Sequence, residues 1–87
     1  MNVPMPPAAP RRNVNRAEAQ LAFYAAAVAL AVPIDVDDLR KLSEITCDVH
    51  AITVAVRAMK TSAEAGQPNL VVASAMEALK THNENRG

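Results

Sequence analysis

The sequence predicts an all-α protein: a three-helix antiparallel arrangement around one long central helix, with an extended, Pro-rich N-terminal arm. Hydrophobic residues make up 51% of the chain, yet Phe23 and Tyr24 are its only aromatic residues and Trp is absent. A core built from Ala, Val, Leu, Ile and Met favours closely packed helices over strands. Apolar residues also recur at helical spacing in segments that end at Pro or Gly.

The arm comprises residues 1–14 and contains four of the six prolines, at positions 4, 6, 7 and 10. Proline lacks a backbone donor and fixes φ, so this segment is expected to be extended. Two interpretations remain open: a disordered leader, or a docking arm whose end is anchored by Arg11 and Arg12.

The first helix is predicted over residues 15–32. Asn15 is a suitable N-cap and Glu18 completes a capping box, whereas Pro33 ends the helix. A helix that is apolar on all sides is expected to be surrounded by protein. One apolar face comprises Leu21, Tyr24, Val28 and Val32, and another comprises Phe23, Ala27 and Leu30.

The central helix is predicted over residues 35–65, with Asp35 as N-cap and Gly66 as the left-handed stop. Two rows of side chains along it are expected to form helix interfaces. The heptad seam, at alternating spacings of three and four, is Leu42, Ile45, Val49, Ile52, Val56, Met59 and Ala63. The alanine row is Ala51, Ala55, Ala58, Ser62 and Ala65.

The third helix is predicted over residues 68–82, beginning near Pro68. The residues that it is expected to bury are Val72, Met76 and Leu79 together with Val71, Ala75 and Ala78. Residues 83–87 are expected to fray. The joins between helices are short, so neighbouring helices are expected to run antiparallel and to form a single domain over residues 15–82.

No constellation in the sequence predicts catalysis, a cofactor or a metal. Cys47 and His50 have the spacing of two metal ligands on a helix, but a single pair of this kind is far more often two unrelated surface residues. The acidic residues Asp35, Asp37 and Asp38 are explained by helix capping and the helix dipole. The chain is therefore not expected to be an enzyme.

The charge balance also excludes some partners. Nine basic and nine acidic residues give a net charge of zero, so the chain has no overall field that would attract nucleic acid or an anionic membrane. The apolar run 21–32 is too short to span a bilayer, and Glu18 interrupts the basic segment before it, which argues against a signal peptide. A single cysteine is consistent with a cytoplasmic protein.

These features predict a small non-enzymatic interaction protein, a self-associating adaptor or inhibitor that binds a larger protein through apolar helix faces. A homo-oligomer, most simply a dimer, is expected because the short flanking helices cannot cover both rows of the central helix. The alternatives are a subunit docked through its arm and, less favoured, a small DNA-binding regulator. The candidate interface residues are Leu42, Ile45, Val49, Ile52, Val56, Met59, Ala51, Ala55, Ala58, Arg11 and Arg12.

One short segment of the predicted central helix resembles a known protein family. Asp38-Leu39, followed by His50 and Val54, resembles the central helix of small anti-activators that sequester quorum-sensing regulators. The resemblance is confined to residues 38–54 and implies an all-helical dimer, and no functional residue is carried over from it.

Overall fold

The computed structural model describes residues 14–85, and these residues form helices and no strand. The helices are α1 (Arg16–Leu30), α2 (Val36–Glu44), α3 (Val49–Glu64) and α4 (Val71–Asn85), with a short 3₁₀ turn at Pro68–Leu70 before α4. The all-helical prediction is confirmed, whereas the number of helices differs from it. The predicted arm, including Arg11 and Arg12, lies outside the described residues except for Val14.

Helix α1 begins as its sequence predicts and ends earlier. The Glu18 amide donates to Asn15 Oδ1 at 2.8 Å, and the Asn15 amide donates to Glu18 Oε1, which completes the capping box. The helix ends at Leu30 because Pro33 disfavours a helical conformation at the residue before it. Ala31 then takes a left-handed conformation with φ 58°, and the Val32 amide donates to the Ala27 carbonyl at 2.9 Å.

The prediction of one central helix over residues 35–65 is wrong, because the chain leaves the helix at residues 45–48. The Thr46 hydroxyl donates to the Leu42 carbonyl at 2.7 Å and competes with the helical backbone bonds there. Asp48 then caps a new helix, with Oδ1 accepting from the Ala51 amide at 2.7 Å. The helix break, which we call the α2–α3 junction, interrupts the heptad seam between Ile45 and Val49.

Helices α3 and α4 form a hairpin whose turn contains Gly66, at the predicted left-handed position with φ 77°. Of the alanine row, Ala51 and Ala55 are fully buried, Ala58 and Ser62 are half-buried, and Ala65 is exposed. The Ser62 and Ser74 hydroxyls form a hydrogen bond between the two helices. The fully buried residues on facing sides are Ala51, Ala55 and Met59 of α3 and Val71, Ala75 and Leu79 of α4.

Helix α1 packs on α2 and α3 and closes the core from the other side. Its inward face contributes Ala19, Phe23 and Ala27, each buried, and Leu42 of α2 joins them in the same cluster. Spacings of four residues place these α1 side chains on one side of the helix. Among the described helices, none has the length and apolar character needed to cross a membrane.

Candidate functional site

An exposed apolar stripe runs along the outer side of α1. Leu21, Tyr24 and Val28 are 68%, 53% and 61% exposed, although the opposite side of the same helix is core. Together with exposed Ala17 they recur at spacings of four, three and four residues, the pattern of a helix-pairing seam. We call these four residues the α1 face.

The chain around the α1 face lacks charged side chains over most of the length of the helix. From Leu21 to Ile34 the chain contains no Asp, Glu, Lys, Arg, His or Cys. Exposed apolar residues that occur singly are ordinary, but three large ones aligned on one helix are typical of an association surface. The expectation that protein surrounds α1 is met on its Phe23 side only.

The predicted interface residues fall into three groups. Leu42, Ala51, Ala55 and Met59 have no exposed surface, because they pack inside the chain against α1 and α4. This corrects their role, since a fully buried side chain is not available to a partner. The residues that keep some exposure are Ile45, Val49, Ile52, Val56 and Ala58. Arg11 and Arg12 lie outside the described residues.

Part of the heptad seam remains as an open depression on α3. Its volume is about 400 Å³, and its lining combines apolar side chains with two cationic ones. Its described lining residues are Ile52, Thr53, Val56, Arg57 and Lys60. These residues all belong to one helix, so the depression is a shallow surface feature and does not resemble an enclosed ligand pocket.

A second candidate site lies at the α2–α3 junction, where the end of α4 packs against it. Ligand atoms of Cys47, Asp48 and His82 all lie within 4.8 Å of one another. Asp48 is 1% exposed and its Oδ1 lies 3.5 Å from His82 Nε2. The Cys47 thiol lies 3.7 Å from Asp48 Oδ2 and 3.3 Å from Asn83 Oδ1. We call Cys47, Asp48 and His82 the junction cluster.

Neighbouring residues hold the junction cluster in place. Asn83 Nδ2 donates to the Ile45 carbonyl at 3.0 Å, so α4 satisfies a backbone group that the helix break exposes. His50, which the sequence pairs with Cys47, is exposed and places its ring centroid 5.2 Å from that of His82, with the planes tilted by 60°. In the structure, Asp48 and His82, and not His50, therefore provide the ligand atoms that cluster with Cys47.

The acidic residues of α2 are used within the helix. The Asp38 amide donates to Asp35 Oδ1 at 2.8 Å, which is the predicted N-cap. Asp37 pairs with Arg40 and also with Lys41 at 3.4 Å. The hydrogen bond from Arg40 lowers the pKa of the Asp37 carboxyl below its usual value, and Lys41 acts in the same direction. These contacts account for the acidic residues without a cation.

No protein-family model, curated protein or solved structure matches the chain. The resemblance over residues 38–54 thus gains no further support. A function for this protein has to follow from its own residues, and the two arrangements available are the α1 face and the junction cluster.

Proposed function

We propose that this is a non-enzymatic helical interaction protein that self-associates by pairing the α1 faces of two copies. The observation that supports the proposal is the exposure of Leu21, Tyr24 and Val28 on one side of a helix whose other side is fully buried. Helix α1 has 15 residues and is about 22 Å long, which gives room for three layers of contact in a helix pair.

The expected strength of the pair follows from the area still exposed. Each of the three large residues keeps more than half of its surface exposed to water. Burying the exposed surface of one of them in a dimer contributes about 1 kcal/mol to the free energy of association. Two symmetric copies contribute each side chain twice, or about 6 kcal/mol in total. Since association costs at least about 4 kcal/mol, the three large side chains alone leave a surplus of only about 2 kcal/mol. A dimer that forms at working concentrations therefore also needs contacts from exposed Ala17, Ala25 and the rest of the outer side of α1, and we expect it to be weak and concentration-dependent.

A second copy of this chain suits the α1 face better than a charged partner does. In a twofold symmetric pair, each face meets an identical one, so like charges on it would repel. The α1 face has none between Leu21 and Val28. The exposed alanines Ala17 and Ala25 beside the large residues leave space for the opposing side chains.

The proposal is tested by charge substitution at the α1 face. A lysine variant (Leu21→Lys with Val28→Lys) and a glutamate variant (Leu21→Glu with Val28→Glu) should each be monomeric by sedimentation equilibrium, while wild type shows a rising average mass with concentration. A one-to-one mixture of the two variants should regain association through opposite charges, and added salt should weaken it.

Val36→Glu is the matched control, because Val36, at 77%, is the most exposed large apolar residue within residues 14–85 and lies on α2. It should associate as wild type does. A wild-type protein that stays monomeric at high concentration would contradict self-association. If the wild type is monomeric but binds a different protein through the same residues, the α1 face is a binding surface for that protein and not for a second copy.

A further inference from the structure

We propose that the junction cluster is a binding site for a divalent metal of the zinc class, with Cys47 Sγ, the Asp48 carboxylate and His82 Nε2 as its three protein ligands. The three residues come from two elements, since Cys47 and Asp48 lie in the α2–α3 junction and His82 lies in the last turns of α4. A bound ion would therefore join the end of the chain to the break in the predicted central helix.

Two distances between ligand atoms are close to those in a zinc site. Zinc binds thiolate sulfur at about 2.3 Å and imidazole nitrogen or carboxylate oxygen at about 2.0–2.2 Å, which in a tetrahedron places neighbouring ligand atoms about 3.3–3.6 Å apart. His82 Nε2 and Asp48 Oδ1 are 3.5 Å apart, and Cys47 Sγ and Asp48 Oδ2 are 3.7 Å apart. These two contacts use different oxygens of Asp48, and the ligand atoms of all three residues lie within 4.8 Å of one another, so side-chain rotation would bring them around one metal.

The burial of His82 and its missing hydrogen bond independently indicate a ligand. Its side chain is only 10% exposed, and Nε2 is a buried polar atom without a hydrogen-bond partner in the described part of the chain. Its 3.5 Å separation from Asp48 Oδ1 exceeds the usual hydrogen-bond range of about 2.7–3.2 Å. A buried imidazole nitrogen without a partner is costly, and a metal bond at Nε2 would remove that cost.

The donor set selects the class of metal. A thiolate together with an imidazole and one carboxylate favours zinc over the hard cations magnesium and calcium, which take oxygen ligands. On binding, the Cys47 thiol gives up its proton to solvent as the metal–sulfur bond forms, and no electron is transferred. Three protein ligands leave a fourth position for water, because His50 is not among the clustered ligand atoms.

The surroundings already hold the ligands in place. Asp48 is held by its hydrogen bond from the Ala51 amide, and Asn83 holds the junction through the Ile45 carbonyl. Outer contacts of this kind keep metal ligands oriented and raise affinity. The proposal is independent of the α1 face, since none of these residues belongs to it.

Cobalt(II) is the probe, because it replaces zinc in tetrahedral sites and absorbs light. We expect the metal-free, reduced full-length protein to develop a thiolate-to-cobalt charge-transfer band and visible d–d bands that saturate at one equivalent per chain. Zinc added afterwards should bleach both. The charge-transfer band should be absent from Cys47→Ser, and His82→Gln should weaken binding by more than about 10-fold.

His50→Gln is the matched control, since it removes an imidazole from the same surface without removing a proposed ligand; it should bind cobalt as wild type does. Circular dichroism of each variant checks that the helices remain. If His82→Gln does not fold, Cys47→Ser is the variant that tests the proposal. Absence of a saturable charge-transfer band in the wild type would overturn the proposal. A charge-transfer band that persists in Cys47→Ser would also overturn it. A loss of cobalt affinity in His50→Gln equal to that in His82→Gln would do the same.

Discussion

His82 Nε2 lies 3.5 Å from Asp48 Oδ1, and this pair links the last turns of α4 to the residue that starts α3. The carboxylate has a second role there, because the same Oδ1 accepts the Ala51 amide and caps the helix. One buried side chain thus determines where a helix begins and provides the carboxyl oxygen that faces a buried imidazole. The local fold and the junction cluster depend on the same residue.

Replacement of Asp48 should therefore cost more than replacement of an ordinary N-cap. We expect Asp48→Ala to lower the free energy of unfolding by at least about 2 kcal/mol, because it leaves the buried Ala51 amide without its acceptor and removes the carboxyl group beside His82. Asp35→Ala, at the exposed N-cap of α2, should cost about 1 kcal/mol. Urea unfolding of both variants gives the comparison, and equal losses would show that the buried pair adds nothing to capping.

The left-handed residue at the end of α1 offers a stabilising substitution. Ala31 has φ 58°, a conformation that costs an L-residue about 1 kcal/mol and glycine much less. We expect Ala31→Gly to raise the free energy of unfolding by about 0.5–1 kcal/mol. Ala29→Gly, two residues earlier within the helix, should lower it by a similar amount. Thermal unfolding followed by circular dichroism measures both, and a destabilised Ala31→Gly would contradict the assigned helix end.

The buried alanines of α3 lie in the core where α3 and α4 contact each other, so they leave little room for a larger side chain. Ala55 is fully buried, so Ala55→Leu should destabilise the protein by about 1–3 kcal/mol through overpacking. Ala73→Leu on the exposed side of α4 should stay within about 0.5 kcal/mol of wild type. If denaturant unfolding finds the two variants equally stable, the alanine row does not face α4.

Local signals in the sequence predicted much of this fold. The capping box at Asn15 and Glu18, the N-cap at Asp35 and the stop at Gly66 are confirmed, because each depends on the backbone within a few residues. The α2–α3 junction was missed because the heptad seam continues across it without a change of spacing. Thr46 and Asp48 are poor helix formers, and Asp48 is a preferred N-cap, so a signal for the break was present.

Features that depend on tertiary packing could not be read from the sequence. The buried side of α3 combines Ala51 and Ala55 of the alanine row with Met59 of the heptad seam, and this selection depends on how α1 and α4 pack on α3. The sequence separation of Cys47 and His82 likewise hides their proximity, which arises only when the α3–α4 hairpin closes. The interaction function and the self-association of the chain stay predictions.

The most direct test of the central claim uses Tyr24, the single tyrosine in a chain without tryptophan. Tyr24 lies within the α1 face and is 53% exposed, so its fluorescence reports directly on whether that face is covered. We predict that acrylamide quenching of Tyr24 becomes weaker as protein concentration rises, in step with the average mass from sedimentation, and that Leu21→Lys with Val28→Lys abolishes this change. Quenching that is independent of concentration while the mass doubles would contradict pairing through the α1 face.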